Sequence, residues 1–515
     1  MSDEMAICLS DVLNDSCFPR TLGSEAQPSY IPDISDVGVF EGFLGLIAVF
    51  FALWFIKIAL VTWFKKYKLQ YLLRGSLLVF LVVDILNFLH GYGIVFHEKY
   101  DSYSDTLWYL SGTLSGVMLV VRYFWKLPLN IKKTLYEVGF DHRKRQEAIA
   151  RYRMRKGFET LDPASMPPVF PNGWIAVVES SEVCPGEVVA ATTLGYRFCV
   201  FRSRDNNSAF VLDAYCPHLG ADLTGGIVRG NTIECPFHGW CASGIDGSCT
   251  RGRDSENKPP VPETVKVKKW TSDEANGMIY VWHHAEKDKQ EPYWEMPRVE
   301  EVCNGDWVFR GRTEHEVHCH IQEIPENGAD INHLKQLHSA SVFMGGNWMD
   351  TNSWFNFVTH HWQPEWTRDE NVPHIARIKL KQTTSFLGYH IPFSRLDIDI
   401  EQIGPATVHL HIKSWFGRAI LLQHIIPEGP LAMRVIHQLY TEPSVRPFPA
   451  ELLIRAEAIM FERYIALMEL KQCIKQRLQV TENCPIRKYQ RWYFSEFFSQ
   501  NSPTLLSLRD RTLEF

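Results

Sequence analysis

The sequence predicts an α+β protein: N-terminal transmembrane helices, then an all-β domain, then a domain of helices on an antiparallel sheet. Three observations carry that expectation. Long apolar runs fill residues 39–126. Seven short β-patterned runs separated by turn residues lie between Trp174 and Trp282. A longer C-terminal region follows, with one polar constellation at helical spacing. The implied divisions are a lumenal segment 1–38, a transmembrane region 39–126 of up to three helices, a basic linker 127–168, a small β domain 169–288 and a larger domain 289–515.

The 515 residues suffice for two or three domains, and a net charge of −6 argues against nucleic acid as the main partner. With 16 Trp and 31 Phe, large apolar pockets or a membrane interface are expected. The twelve cysteines are scattered rather than spaced as a disulfide framework, which suits a reducing compartment. Residues 1–38 are polar and acidic with no basic n-region, unlike an ordinary cleaved signal peptide.

Val39–Phe64 is long enough to span a bilayer of ~30 Å. Ser76–Phe96 carries Asp84, Asn87 and His90, which need a neighbouring helix or water. Leu107–Trp125 carries Ser111, Gly112, Ser115 and Gly116, which permit close helix packing. Lys65, Lys66, Lys68 and Arg74 follow the first run; Lys126, Lys132, Lys133 and Arg143–Arg145 follow the third. The positive-inside rule then puts the N-terminus, with its Asn14-Asp15-Ser16 sequon, in a lumen and everything after Lys126 in the cytosol. A re-entrant second run would move the N-terminus to the cytosol and leave the rest in place. Residues 127–168, with Arg151, Arg153, Arg155 and Lys156, read as a helical linker near the membrane surface.

Tyr196–Phe201, Ala209–Asp213, Gly226–Val228, Thr232–Glu234, Val265–Trp270 and Met278–Trp282 join Trp174–Val178 as expected strands. Among them stand Cys216-Pro217-His218 and, after sixteen residues, Cys235-Pro236-Phe237-His238. Two thiolates on one iron and two imidazoles on the other are what a Rieske [2Fe–2S] centre needs. A zinc finger usually runs Cys, Cys, His, His, and this order differs. Cys241 and Cys249 read as packed thiols, with a supporting disulfide as the alternative.

In the last region, Asp330, His333 and His338 fall within Asn327–His338. On a helix Asp330 and His333 share a face, with His338 about a turn further. Two neutral imidazoles plus a carboxylate, with open positions, suit a mononuclear non-haem Fe(II) centre. A His-x4-His spacing is weak alone and gains weight from the upstream cluster motif. His315, His318 and His320 alternate as on one face of a strand.

Cys-x-His-x16-Cys-x2-His followed by Asp-x2-His-x4-His resembles the Rieske non-haem iron oxygenases. The membrane runs and Lys488-Tyr-Gln-Arg-Trp-Tyr493 resemble, within that family, the Neverland-type cholesterol 7-desaturases of animals. The resemblance implies a [2Fe–2S] cluster on Cys216, His218, Cys235 and His238, relaying electrons to an Fe(II) held by His333 and His338. It implies Asp330 as the electron bridge between neighbouring subunits of a homotrimer. It also implies a sterol substrate, cholesterol going to 7-dehydrocholesterol, in an endoplasmic reticulum membrane. NAD(P)H would act through a separate reductase, since no Gly-rich nucleotide-binding turn is present. The family's third iron ligand is a late carboxylate, and Tyr464 stands where it is expected. Glu462 is the substitute chosen from the sequence, with Glu457 and Glu469 nearby; iron on two histidines plus water, or a chain without activity, are the alternatives. Trp348, Trp354–Phe357, Trp362 and Trp366 suit either the wall of an apolar pocket or ordinary core. Other readings are a Rieske hydroxylase of another apolar ring compound, an electron carrier or a degenerate sterol-binding protein.

Overall fold

A computed structural model describes residues 128–134, 137–138, 167–251, 260–342, 357–468 and 485–512. The three apolar runs, the sequon, the Arg151–Lys156 stretch, Trp348, Trp354 and Glu469 lie outside the described residues. Among the described residues, no helix is long and apolar enough to cross a membrane.

Strand β1 (Leu129–Lys133) corrects the expectation of a helical linker at its start. It pairs in parallel with β12 (Val308–Val317), Leu129 opposite Gly311 and Lys133 opposite His315. Its alternating burial is the two-residue period of a strand, which the surrounding basic residues obscured in the sequence.

The small domain is all β, as expected. Strands β2 (Gly173–Glu179), β10 (Ser272–Ala275) and β11 (Met278–His283) form one sheet; β3 (Val188–Thr193), β4 (Tyr196–Arg202) and β5 (Ala209–Asp213) form another. Four short strands, β6 (Ile227–Arg229), β7 (Thr232–Glu234), β8 (Trp240–Ser243) and β9 (Cys249–Arg251), form the third. The expected strand Val265–Trp270 forms no ladder; it is tied to its neighbours by isolated Leu212–Lys269 and Ser248–Lys266 bridges and by Trp270, which packs on Tyr196 and Phe198. Phe198, Val200, Phe201, Leu212 and Ile233 are fully buried. Burying each such side chain contributes about 1.5–3 kcal/mol.

After a short helix α1 (Glu300–Cys303), the larger domain is built on a nine-stranded sheet. Its order is β1-β12-β19-β18-β17-β16-β14-β13, with β15 paired to β14. The members are β13 (Val358–Arg368), β14 (Ile375–Phe386), β15 (Tyr389–His390), β16 (Leu396–Ile403), β17 (Thr407–Ser414), β18 (Gly417–Gly429) and β19 (Ala432–Thr441). All pairings but the first are antiparallel. Helices α2 (Glu323–Glu326) and α3 (Ile331–Leu337) follow β12, and α4 (Pro447–Met468), α5 (Pro485–Phe497) and α6 (Leu505–Thr512) end the chain.

One face of the sheet carries Ile378, Leu380, Ile398, Ile400, Val408 and Leu421, which pack with Ala450 and Ile454 of α4. Along α4 the buried residues Ala450, Ile454, Ala458, Phe461 and Ile465 recur at three- and four-residue intervals, giving one face against the sheet. The opposite face meets the small domain: Ile426 and Ile436 pack with Trp174, Tyr280 and Trp282. That contact is also polar. Glu179 of β2 takes Arg312 at 2.6 Å and the Gln438 amide at 2.8 Å. Tyr280 Oη lies 3.2 Å from His424 Nδ1. Helix α5 buries Tyr489, Trp492 and Tyr493, whose polar tips donate to the carbonyls of Gln322, Pro373 and Pro405.

Candidate metal centres

Cys216 lies on the loop between β5 and β6 and Cys235 on the loop between β7 and β8, and the two loops close in the same way. Gly220 N–H donates to the Cys216 carbonyl at 2.9 Å, and Gly239 N–H donates to the Cys235 carbonyl at 3.1 Å. Both glycines have positive φ, +72° and +68°, where a side chain would be strained. Each loop therefore turns back on itself within five residues, with its cysteine inside and its histidine outside.

Cys216 and Cys235 are buried free thiols, while His218 and His238 are exposed. Burial pushes the Cys216 thiol up, with Cys235 beside it. The two imidazoles lie 4.8 Å apart, centroid to centroid, at 77°. Trp240 stacks on His218 at 4.5 Å and 11°, fixing the ring plane. Two inner sulfurs below two outer imidazoles fit a [2Fe–2S] group whose irons differ in ligands and exposure. Cys241 and Cys249 are free thiols and not a disulfide, as the preferred reading had them.

The second centre stands at the two ends of one short helix. Asp330 is the N-cap of α3, its Oδ1 accepting from the N–H groups of Asn332 (3.1 Å) and His333 (3.2 Å). The Asp330 carbonyl lies 2.7 Å from His333 Nδ1, which leaves Nε2 for another partner. His338 is the C-cap, buried, with Nδ1 lacking a hydrogen-bond partner. The rings of His333 and His338 lie 5.1 Å apart at 83°. Burial lowers both; His338 falls to about 3, with His333 and Arg463 adding charge repulsion. Neutral imidazoles, one nitrogen of each not satisfied by protein, suit a metal.

Sequence reasoning missed the side chains that hold this pair. Arg463 of α4 is buried and donates to the carbonyls of Leu337 (3.3 Å), Ala340 (2.9 Å) and Ser341 (2.6 Å). Trp362 Nε1 donates to the His338 carbonyl at 2.9 Å. His360 lies on the same strand, lowered to about 4 by burial, with Gln382 and Thr384 within 3.1 Å of its Nδ1. A basic residue on a helix gives no local sign that it will clamp a loop over a hundred residues earlier.

Glu462 is not gathered with His333 and His338. It pairs with Lys133 at 2.5 Å and lies 3.6 Å from His315 Nε2, so α4 points it toward β1 and β12. Glu457, the other carboxylate facing the sheet, lies 3.4 Å from His437 Nε2, and burial raises it to about 7. Among the described residues no three His, Cys, Asp or Glu side chains converge on one point. In a cluster each iron takes only two protein ligands, so this is no obstacle at Cys216–His238. At α3 it leaves the two imidazoles as the donor set. Of the three alternating histidines, His315 lies in β12 and is buried, while His318 and His320 fall beyond the strand end.

Residues 173–269 match the Rieske [2Fe–2S] domain, and residues 281–498 match the 3-ketosteroid 9α-hydroxylase C-terminal domain. A cholesterol 7-desaturase of Xenopus laevis is 38% identical over 403 residues, covering 76% of this chain and 85% of that protein. One from Caenorhabditis elegans is 37% identical, covering 74% and 89%. Among solved structures, the terminal oxygenase of carbazole 1,9a-dioxygenase from Nocardioides aromaticivorans is 19% identical with a TM-score of 0.47, covering 64% of this chain and 94% of that one.

Proposed function

The chain belongs to the cholesterol 7-desaturase family of Rieske oxygenases, and from that membership we propose that it desaturates a sterol at the 7,8 position, cholesterol going to 7-dehydrocholesterol. The observation that carries this reading is the pairing, in a chain 38% identical to a cholesterol 7-desaturase, of the Cys216–His238 loops with the His333–His338 helix. The overall balance is one sterol, one O2 and NAD(P)H with a proton, giving the alkene, two waters and NAD(P)+.

In this reading residues 169–288 hold a [2Fe–2S] cluster through Cys216, His218, Cys235 and His238, and residues 289–515 hold Fe(II) through His333 and His338. When bound, the cluster supplies one-electron transfer and the iron supplies dioxygen activation. The chain's own part is placement. The Asp330 carbonyl fixes the His333 tautomer, while Arg463 and Trp362 hold the turn that carries His338. A separate reductase delivers electrons from NAD(P)H to the exposed His218–His238 end. The assembly would be a homotrimer in which Asp330 bridges a cluster histidine of one subunit to His333 of its neighbour; the exposure of both cluster histidines supports this. The enzyme resides in the endoplasmic reticulum membrane with these domains cytosolic.

The test is incubation of membranes holding the full chain with cholesterol, a reductase and NADPH, with mass spectrometry of the sterols. The expected product is 7-dehydrocholesterol. A hydroxylated sterol, or no oxidised sterol from a preparation with three irons per chain, would sink the desaturase reading.

A further inference from the structure

One end of the nine-stranded sheet is capped by large apolar side chains that the fold itself does not use. The β14–β15 hairpin turns through Leu387 and Gly388, and the β17–β18 hairpin turns through Trp415 and Phe416. Leu387 is 64% exposed, Tyr389 81%, Phe393 70% and Trp415 72%. Phe386 and, on the first turn of α4, Phe448 are also exposed. Phe393 and Trp415 lie 6.2 Å apart, so the two hairpins present one surface.

Two-residue hairpin turns ordinarily carry Asn, Asp or Gly. Leu387 has a φ of +50°, a left-handed conformation unfavourable for leucine, and still presents its side chain outward. Neither turn chemistry nor core packing accounts for Leu387, Tyr389, Phe393 and Trp415. A contiguous exposed apolar surface of this kind marks a contact with something outside the chain.

The charges around it identify the class of partner. Arg395 pairs with Asp397, Lys413 with Asp399 and Arg418 with Glu442. These three pairs are each neutral in themselves and set up no strong field toward an acidic or basic protein surface. Tyr, Trp and Phe above paired charges is the composition of a membrane-interface belt. Chain entry agrees. Strand β1 runs parallel to β12, whose first residue Val308 pairs with Thr441 beside Arg418, so the chain enters β1 from this same end. The apolar run ending at Trp125 is four residues from Leu129, a reach of at most about 14 Å.

We infer that Leu387, Tyr389, Phe393 and Trp415 form a membrane-docking surface that inserts into the interfacial zone of a zwitterionic phospholipid bilayer. The sheet end is thereby seated on the membrane from which an apolar substrate would leave; that last clause rests on the proposed function, the docking itself does not.

The full chain is reconstituted into phosphatidylcholine bilayers containing a phosphatidylcholine with a diazirine high on its acyl chain, irradiated, and digested for adduct mapping. Adducts are expected on the peptides holding Leu387–Phe393 and Trp415, unchanged by added salt. Adducts confined to residues 39–125 overturn the inference, as does cross-linking of the Trp415 peptide to a second copy of the chain in place of lipid. A triple variant, Leu387→Asn, Phe393→Ser and Trp415→Ser, should keep its fold, since Asn-Gly suits the hairpin turn better. In that variant the adducts at these peptides should disappear, and the KM for bilayer-borne sterol should rise about tenfold while turnover of cyclodextrin-delivered sterol stays the same. Equal loss with both deliveries overturns the docking role. Inactivity of the unmodified chain with every sterol would count against the desaturase reading alone, because the adduct map needs no turnover.

Discussion

The carbonyl oxygen of Asp330 lies 2.7 Å from Nδ1 of His333, so one residue both caps α3 with its side chain and sets the tautomer of the imidazole one turn on. His333 Nδ1–H donates inward, and Nε2 keeps its lone pair for a metal.

Replacing His333 by Ala should therefore remove turnover, by at least about 10²-fold, while the visible absorption of the cluster is retained. Asp330→Asn separates two roles of the aspartate. Asparagine caps as well as aspartate, so thermal stability should change by only a few tenths of a kcal/mol. Single-turnover electron delivery should nevertheless fall, and an unchanged rate would remove Asp330 from the electron path.

Glu462→Gln tests what the carboxylate does. It faces Lys133 and His315, so the variant should retain the iron content of the parent and lose stability of roughly 1–2 kcal/mol from the weakened part-buried ion pair. Loss of one iron per chain, with the cluster intact, would make it a ligand after all.

Arg463→Leu removes three carbonyl contacts around the His338 turn. The expected destabilisation is about 2–4 kcal/mol, read by denaturant unfolding. Iron retention should fall with it, whereas a variant with parent iron content and parent stability would show that the turn holds itself.

Acid should weaken the chain through His409 and His424. Both are buried, and burial lowers each to about 3. Above pH 6.5 both the folded and unfolded states carry them neutral. Between 6.5 and about 3 the unfolded chain takes up protons that the folded chain refuses, so stability falls as pH falls, by up to about 1.4 kcal/mol per unit for each. Urea unfolding at pH 7.5 and 5.5 should show this slope, and His409→Gln with His424→Gln should reduce it, the remainder coming from His283, His338, His360 and His437, which burial lowers as well.

The cluster loops were readable from the sequence because everything they need is local: Cys, His and Gly within five residues, repeated once. The strands around them were readable for the same reason, as Ala209–Asp213 and Thr232–Glu234 show. The spacing puts His333 and His338 about a turn apart along a helix, and the structure has His333 in the first turn of α3, His338 at its C-cap and Asp330 at its N-cap. Long-range partners were invisible. Nothing near Lys133 announces Glu462, nor anything near His338 announces Arg463, because sheet register and helix rotation decide those meetings. Trp240 stacking on His218 did have a signal, since it follows His238 by two residues.

Strand β1 also has a mechanical meaning. Its hydrogen bonds to β12 lie roughly across the axis of the strand. Tension along that axis from the N-terminal side would load the five residues in shear, all bonds sharing the force, and not peel them one after another. Lys132 and Lys133, paired with Glu314 and Glu462, pin the far end of that strand to β12 and α4. A domain tethered at β1 and pulled along that strand is thus held by five residues that share the load.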